Sequence, residues 1–204
     1  MLTNTTNSYG GGTYVEGGTL MAGTAGNAAP VIPANSNVTV FSGGTFEVGF
    51  TFGPVGAAPL ATLTLDGGTF RVPALSGEYD LNRLMTTAAG GTVDLSGSTA
   101  RVAFNGAGAG ATINGNTTLL SDNATSRFAT NISGPADLTI APNITLTSHI
   151  PLAQRYQIVG GGTLYMVTAA NSYIEIFTVT QGRLRVDDLS VTNGQSVLGG
   201  PASP

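Results

Sequence analysis

The residue types that most often carry chemistry are scarce in this chain, and its single histidine stands alone. His149 has no second histidine and no cysteine anywhere in the sequence to accompany it. A protein metal site needs several ligands at suitable spacing, and a general base needs a positioned partner whose proton it takes. We therefore expect His149 to be neither a metal ligand nor a catalytic residue.

The adjacent acids Asp187 and Asp188 are the strongest acidic candidates. Glycoside cleavage needs a carboxylic acid and a carboxylate that face each other across one bond. Enzymes of that kind also need a histidine, arginine or lysine near the acids, whereas Leu189-Ser190-Val191 follows here. Asp187 and Asp188 are therefore predicted to lie in a turn or at the rim of the fold, without a catalytic role.

Two glycine-rich strings, Gly160-Gly161-Gly162 and Gly106-Ala107-Gly108-Ala109-Gly110, could be mistaken for phosphate-binding loops. A phosphate-binding loop precedes a helix or a Lys-Ser/Thr pair, and neither string does. The Gly-Gly-any-Gly-any-Asp string of calcium-binding repeats does not occur either. The sequence thus predicts no catalytic residue, no cofactor and no metal ion, and a protein that is not an enzyme.

The composition indicates a single packed domain over residues 1–204 with unusually few charges. The chain is 41% hydrophobic, which is enough to bury a core, but only 9% of its residues are charged. Seven arginines, no lysine and a net charge of −4 leave no basic surface of the kind that binds phosphate backbones, so we expect no nucleic-acid partner. The absence of cysteine excludes disulfides, zinc ribbons and thiol catalysis.

No apolar run reaches the roughly 18 residues that a membrane helix requires. The first residues, Met1-Leu2-Thr3-Asn4, lack the charged and apolar regions of a signal peptide. If the protein is exported, we expect the signal to belong to a longer precursor of which this chain is a slice.

A Gly-Gly-Thr string followed by an apolar, any, apolar triplet recurs along most of the chain. Clear copies begin at Gly17, Gly43, Gly67, Gly90 and Gly161, and weaker ones at Gly110, Ala136 and Gly182. The first apolar residues of these copies form a column with a period of about 23 residues, which comprises Leu20, Phe46, Phe70, Val93, Ile113, Leu138, Leu164 and Leu184.

Each triplet alternates with period two, which is typical of a strand. A second alternating segment precedes most copies, as in Val38-Thr39-Val40-Phe41 and Leu63-Thr64-Leu65. Every unit is therefore predicted to be a strand, a glycine corner, a second strand and a variable loop. Glycine suits such corners because it adopts positive φ without a Cβ clash.

A unit of this size cannot bury its own inward residues, so consecutive units must stack. Stacking at about 4.8 Å per turn gives an all-β fold, a parallel β-helix of about eight turns and roughly 40 Å in length. Parallel crossovers are overwhelmingly right-handed, which favours a right-handed β-helix (β-solenoid).

The column predicts particular neighbours inside and outside the stack. We expect Phe46 and Phe70 to stack inside, and Glu47, Arg71 and Asp94 to form an alternating charge ladder outside. The threonines of the Gly-Gly-Thr strings are expected to face outward, and they are Thr19, Thr45, Thr69, Thr92 and Thr163.

One segment departs from the pattern. Residues 73–89, and 77–85 above all, combine charges with no evident alternation, and we expect a protruding loop or a short helical insertion there. The segments near Pro30, Pro33, Pro54 and Pro59 are expected to be loops as well. Loops on a rigid scaffold are where recognition usually lies, so a binding loop is the alternative interpretation.

The two ends of the chain match each other at an offset of 164 residues, as Leu20 and Leu184 illustrate. The segment from Asn7-Ser8-Tyr9 to Gly17-Gly18-Thr19-Leu20 resembles the autotransporter-associated β-strand repeat, with its spaced Asn, Tyr, Gly, Thr and Val before Gly-Thr-Leu. The second copy, from Asn171 to Val186, departs where Ile174-Glu175-Ile176-Phe177 replaces the expected glycine and threonine.

This resemblance implies a passenger region of a large exported bacterial protein, shown at the cell surface or released. Such passengers serve as stalks or in adhesion and aggregation, with surface glycans or proteins of host or neighbouring cells as partners. The resemblance supplies no catalytic residues. The lack of cysteine agrees with a chain that crosses the periplasm.

Two alternatives remain open. One is a β-helix that binds or cleaves polysaccharide, of the lyase, hydrolase or phage tailspike type, which needs carboxylates with arginine on adjacent turns lining a groove. The other is a self-assembling extracellular fibre subunit, because the open edges of the end strands can pair with another copy.

Overall fold

The computed structural model describes residues 1, 3, 7–23, 32–33, 36–49, 62–73, 78–81, 83–104, 110–121, 126–130, 136–148, 152–153, 156–167 and 178–186. All regular secondary structure in this part of the chain is β-strand, and every strand pairing is parallel. Among the same residues no helix is long and apolar enough to cross a membrane.

The strands form three parallel sheets. The first sheet contains, in spatial order, β1 (Thr13–Val15), β3 (Asn37–Phe41), β5 (Thr62–Asp66), β8 (Arg83–Thr86), β11 (Gly110–Ile113), β14 (Ala136–Ile140), β17 (Tyr156–Val159) and β19 (Thr178–Val179). The second contains β2 (Gly18–Ala22), β4 (Gly44–Val48), β6 (Thr69–Arg71), β9 (Gly91–Asp94), β12 (Thr117–Leu120), β15 (Thr145–Ser148), β18 (Thr163–Met166) and β20 (Arg183–Val186). The third contains β7 (Glu78–Leu81), β10 (Arg101–Phe104), β13 (Arg127–Thr130) and β16 (Leu152–Ala153).

Strand order follows chain order in each sheet, so the chain winds as a β-solenoid. Each turn places one strand in the first sheet and the next in the second, and eight such pairs are present. Between the third and seventh turns the connection carries an additional strand, which belongs to the third sheet. The prediction of an all-β parallel solenoid with strand, corner and strand in each unit is confirmed.

The inward residues of successive turns form the core. On β5 the exposure alternates along Thr62–Asp66, with Leu63 and Leu65 buried and Thr62, Thr64 and Asp66 partly exposed. Phe46 and Phe70 are both buried, and their rings stack with centroids 5.9 Å apart and planes 30° apart. The predicted phenylalanine stack is therefore confirmed.

The predicted apolar column is correct over its first four residues and wrong in its middle. Ile113 and Leu138 lie in the first sheet, on β11 and β14, rather than above Val93. Leu119 of β12 occupies that position, in register with Val93. The reason is that no Gly-Gly-Thr string precedes β12. In this turn the weaker copy of the motif lies on β11 of the first sheet instead.

A register shift of two residues follows in the same sheet. Leu164 pairs with Leu146, which pairs with Thr117, whereas Leu119 pairs with Ser148. The last Gly-Gly-Thr string is thus displaced by two residues relative to the earlier ones. A shift of two keeps every side chain on its own face, so the core remains continuous.

The expectation of a loop or a short helix over 77–85 is wrong. Residues 78–81 and 83–86 form β7 and β8. Tyr79, Leu81 and Leu84 are buried, which matches an alternation of polar and apolar residues that the density of charges obscured in the sequence. Within 73–89 the structure also places a turn at Ala88 and Ala89.

Glycine corners join the two long sheets as predicted. Gly43 and Gly90 have φ of +83° and +72°, a region that residues with a Cβ rarely adopt. At the corner between β14 and β15, Asn143 takes this conformation with φ of +63°, because its short polar side chain tolerates it better than most.

Candidate functional site

Most residues singled out for chemistry lie outside the described part of the chain, namely His149, Asp187, Asp188 and the first four residues of the string Gly106-Ala107-Gly108-Ala109-Gly110, whose last glycine begins β11. The string Gly160-Gly161-Gly162 is a corner between β17 and β18. A strand follows this corner, so it offers no helix N-terminus to a phosphate group. Among the described residues no group of three His, Cys, Asp or Glu side chains could hold a metal ion.

The predicted charge ladder is present on the second sheet. Glu47, Arg71 and Asp94 are register partners on β4, β6 and β9. The Arg71 guanidinium lies 3.5 Å from a carboxylate oxygen of Glu47 and 3.9 Å from one of Asp94. Glu47 is more buried than an outward position predicts, with 10% of its side chain exposed against 49% for Arg71.

These residue types, two carboxylates with an arginine on the turn between them, are those that a polysaccharide-cleaving site requires. The carboxylates are two turns apart, about 10 Å between their strands. However, Arg71 occupies the space between them, where a sugar and a water molecule would have to lie. The arrangement is therefore suited to fixing the register of three turns.

A row of threonines runs beside the ladder on the same outer face. The register partners are Thr19, Thr45, Thr69, Thr92, Thr118 and Thr147. None of them is buried, so the expectation that these threonines face outward holds. The expected member Thr163 lies outside this row, since the register shift pairs it with Thr145 and Arg183.

The row ends in an aromatic and a cationic residue. Thr147 is followed in register by Tyr165 of β18 and then by Arg185 of β20. The Arg185 guanidinium carbon lies 4.2 Å from the centroid of the Tyr165 ring, which is a cation–π contact. Beside it, Thr145, Thr163 and Arg183 form a second row of register partners.

An open cavity of about 660 Å³ lies at the C-terminal end of the described solenoid. Its lining consists of Thr145, Thr163, Arg183, Leu184, Arg185 and Val186. Arginine and threonine side chains supply N–H and O–H groups there, next to the apolar side chains of Leu184 and Val186. The sequence analysis missed this group, although the alternating arginines of Arg183-Leu184-Arg185-Val186 and the tyrosine in Leu164-Tyr165-Met166 were visible signals.

Buried polar groups in the middle of the solenoid are used for structure. Thr86 faces the core, and its hydroxyl accepts hydrogen bonds from the backbone N–H groups of Asn114, at 3.0 Å, and Gly115, at 3.2 Å. The Asn114 amide donates back to the Thr86 carbonyl at 2.8 Å. Burial also raises the pKa of Tyr79 to about 12, because the ionised phenol is poorly solvated in the core.

The first copy of the long repeat forms one structural unit. Its Tyr9 and Thr13 hydroxyls are hydrogen-bonded at 2.8 Å, and β1, a corner at Gly18 and β2 follow. The C-terminal copy contributes β19, a corner at Gly182 and β20 in the same order. Comparison with protein-family models, with curated proteins and with solved structures finds no significant match, so the family to which these repeats belong remains a proposal.

Proposed function

We propose that this chain is a structural segment of an exported bacterial surface protein, a rigid stalk of the autotransporter passenger kind that presents loops for adhesion or aggregation. In this proposal it works at the cell surface or outside the cell, as part of a longer precursor. It has no catalytic role of its own. Its partners are glycans or proteins on neighbouring or host cells.

The observation that carries the proposal is the pair of eight-stranded parallel sheets. Each turn is bonded to the next through both sheets, so the stack resists bending and extension along its whole length. Eight turns at about 4.8 Å span roughly 40 Å. A stalk needs this geometry, and the long repeat of the sequence would allow it to be extended turn by turn.

Surface display tests the proposal. The chain, with an epitope at its N-terminus, is placed between an export signal and an outer-membrane barrel in a Gram-negative host. We expect the epitope to be accessible to antibody on intact cells, and the cells to settle or attach to surfaces faster than cells that display the barrel alone. Retention of the chain in the periplasm, or settling equal to that of the barrel-only cells, would contradict the proposal.

The polysaccharide-cleaving alternative is separated from the stalk by an activity assay. Incubation of the purified chain with polygalacturonate and with bacterial surface glycans should release no shorter products. The matched control is the Arg71→Ala variant, which opens the space between Glu47 and Asp94. The enzymatic alternative would be favoured if the unmodified chain released shorter products and the Arg71→Ala variant released a different amount of them.

Self-association is a second candidate function, and the end strands favour it. β1 and β19 end the first sheet and β2 and β20 end the second, and their outer edges have no strand partner among the described residues. At these ends Leu20, Leu184 and Val186 are only partly buried, while Phe46 and Leu164 one turn further in are fully buried. A second copy stacked head to tail would extend both parallel sheets and complete the burial.

The alternating direction of the backbone N–H and C=O groups along β2 shows which substitution would block this contact. The Gly18 N–H donates to Gly43, and the Ala22 carbonyl accepts from Gly49, so even-numbered residues of β2 face β4 and the Met21 N–H faces the outer edge. The Met21→Pro variant removes that donor, while Met21→Ala keeps it. Light scattering over a concentration series should show association of the unmodified chain and of Met21→Ala, and a clear loss in Met21→Pro. A monomeric unmodified chain at high concentration would rule this candidate out.

A further inference from the structure

The corner between β11 and β12 begins with Asn114-Gly115, a chemically labile dipeptide. Glycine has no side chain to shield its backbone nitrogen, so that nitrogen can attack the side-chain Cγ of the preceding asparagine. The new N–Cγ bond closes a succinimide ring, the Cγ–Nδ2 bond breaks, and the Nδ2 group leaves as ammonia with the glycine N–H proton. Water then opens the ring to aspartate or isoaspartate. Asn114 is exposed, so water reaches this position.

Hydrogen bonds to Thr86 in the preceding turn hold both residues away from this reaction. The backbone N–H groups of Asn114 and Gly115 donate to the Thr86 hydroxyl at 3.0 and 3.2 Å. The Asn114 side-chain amide donates to the Thr86 carbonyl at 2.8 Å. Ring closure needs the Asn114 Cγ to swing toward the Gly115 nitrogen, so it must break the bond from the amide and the bond from the Gly115 N–H. One threonine therefore holds both the attacking nitrogen and the leaving nitrogen.

The stacked corner also has no room for the products. Gly115 is buried, and a Cβ placed on it would overlap the backbone nitrogen of Gly90 and the carbonyl oxygen of Thr87. Isoaspartate would add a methylene group to the main chain at this crowded point. Aspartate would place a carboxylate against the Thr86 carbonyl oxygen, where the amide now donates a hydrogen bond. Conversion of Asn114 is therefore incompatible with the observed stacking of the fourth and fifth turns.

We propose that Asn114 is a deamidation site controlled by the stacking of the fourth and fifth turns. It stays intact while the contacts with Thr86 are closed, and it converts when they open. Where opening and closing are fast, the rate of such a reaction follows the population of the open state. Heat, denaturant or a pulling force raises that population, and the product then prevents the corner from closing again. The site thus makes separation of these turns permanent, whichever role the solenoid has.

Peptide mapping by mass spectrometry, after incubation of the purified chain at mildly alkaline pH, tests the proposal. We expect Asn114 to convert about tenfold or more slowly in the folded chain than in guanidinium chloride. Thr86→Val keeps the shape of the side chain but removes the hydroxyl, so Asn114 should convert about tenfold faster in this folded variant. Thr86→Ser keeps the hydroxyl and should convert slowly. The dipeptides Asn105-Gly106 and Asn193-Gly194, which lie outside the described residues, give separate peptides in the same map.

The matched control is Gly43→Ala, which destabilises a corner two turns away from Thr86 and leaves the contacts with Asn114 in place. Circular dichroism checks that each variant keeps its strand spectrum. The proposal is overturned if Asn114 converts as fast in the folded chain as in denaturant, or if Thr86→Val and Gly43→Ala change its rate equally. If Thr86→Val does not fold, the comparison of the folded and unfolded unmodified chain still decides. The display experiment tests the stalk separately, because it does not depend on deamidation.

Discussion

Arg71 is the residue whose neighbours are most fully defined by the stacking of turns. Its guanidinium lies between the carboxylates of Glu47 and Asp94, one turn below and one turn above. Exposed ion pairs contribute little, but Glu47 is mostly buried, and a buried charge without a partner is costly. The ladder therefore favours the observed register over one shifted by a residue.

A double-mutant cycle measures this contribution. Arg71→Met keeps the apolar stem and removes the charge, and Glu47→Gln removes the charge of its partner. We expect Arg71→Met to lower the free energy of unfolding by about 1 kcal/mol, and the double variant to lose less than the sum of the two single variants. Urea unfolding at low and at high salt gives these values. Fully additive losses would show that the ladder contributes nothing to stability.

Tyr79 predicts a dependence of stability on alkaline pH. Its pKa is raised by burial from the ordinary value of about 10 to about 12, so the folded state keeps the proton that the unfolded state loses. The stabilising contribution is complete below about pH 10 and is lost as the pH rises through about 12. Tyr79→Phe should therefore show a smaller fall in the free energy of unfolding over this range.

The control for Tyr79→Phe is Tyr14→Phe, since Tyr14 is 66% exposed. Denaturant unfolding at a series of alkaline pH values compares the two variants with the unmodified chain. Equal pH profiles for Tyr79→Phe and the unmodified chain would contradict the assignment.

At the scale of the elements, the corners decide how closely turns can stack. Gly43 and Gly90 both have positive φ, but a Cβ on Gly43 would meet open space, while a Cβ on Gly90 would overlap the backbone oxygen of Asn116 in the next turn. The first glycine is needed for its conformation alone. The second is needed for its conformation and for the close approach of the neighbouring turn.

This difference separates two variants at equivalent positions. Gly43→Ala should cost about 1–2 kcal/mol, which is the cost of a left-handed backbone conformation for alanine. Gly90→Ala should cost about 3 kcal/mol or more, because the backbone of the next turn must also move. Thermal and denaturant unfolding report both values. A Gly43→Ala variant that is as unstable as Gly90→Ala would show that the corners do not stack as described.

The elements also show how much of the fold is predictable from the sequence. Period-two alternation and Gly-Gly-Thr corners predicted the two long sheets, the Phe46–Phe70 stack and the ladder, because these depend on local pattern and a regular period. The pattern failed where the period changed. β12 begins after Gly115-Asn116 instead of a Gly-Gly-Thr string, and Leu119, rather than Ile113, continues the column of Val93.

The third sheet and the candidate site were harder to predict for different reasons. β7, β10, β13 and β16 lack the Gly-Gly-Thr string that marks the second sheet, and the charges around Tyr79 concealed the alternation of β7. At the cavity, the two-residue register shift accounts for Thr145, whose partner is Thr163, whereas the predicted neighbours Leu164 and Leu184 already place Arg183 beside Thr163 and Arg185 beside Tyr165. A register shift arises from pairing between turns, and no local sequence pattern records it.

At the scale of the whole molecule, the scarcity of charge follows from the architecture. Inward positions are apolar, corners are glycine or asparagine, and the outer rows are largely threonine, so few positions need an ionised side chain. Each turn is stabilised mainly by its two neighbours, and a longer chain can add turns without changing the design. Among the described residues, this architecture leaves strand edges at both ends of the solenoid that can pair with further turns.

The central claim is that successive turns stack in parallel with the register described, and disulfide formation between introduced cysteines tests it most directly. The chain has no cysteine of its own, so any disulfide that forms within it joins the two introduced cysteines. Thr92 and Thr118 are register partners on β9 and β12, whereas Thr112 lies on β11 in the first sheet. Neighbouring strands are within the Cα separation that a disulfide spans.

We predict that Thr92→Cys/Thr118→Cys forms an intramolecular disulfide rapidly and completely under mild oxidation, as judged by the mass of the protein before and after reduction. Thr92→Cys/Thr112→Cys should form none, although the repeat motif alone would pair these two threonines. Rapid cross-linking of the second pair with none in the first would contradict the register, and equal cross-linking of both would contradict a single stacked solenoid.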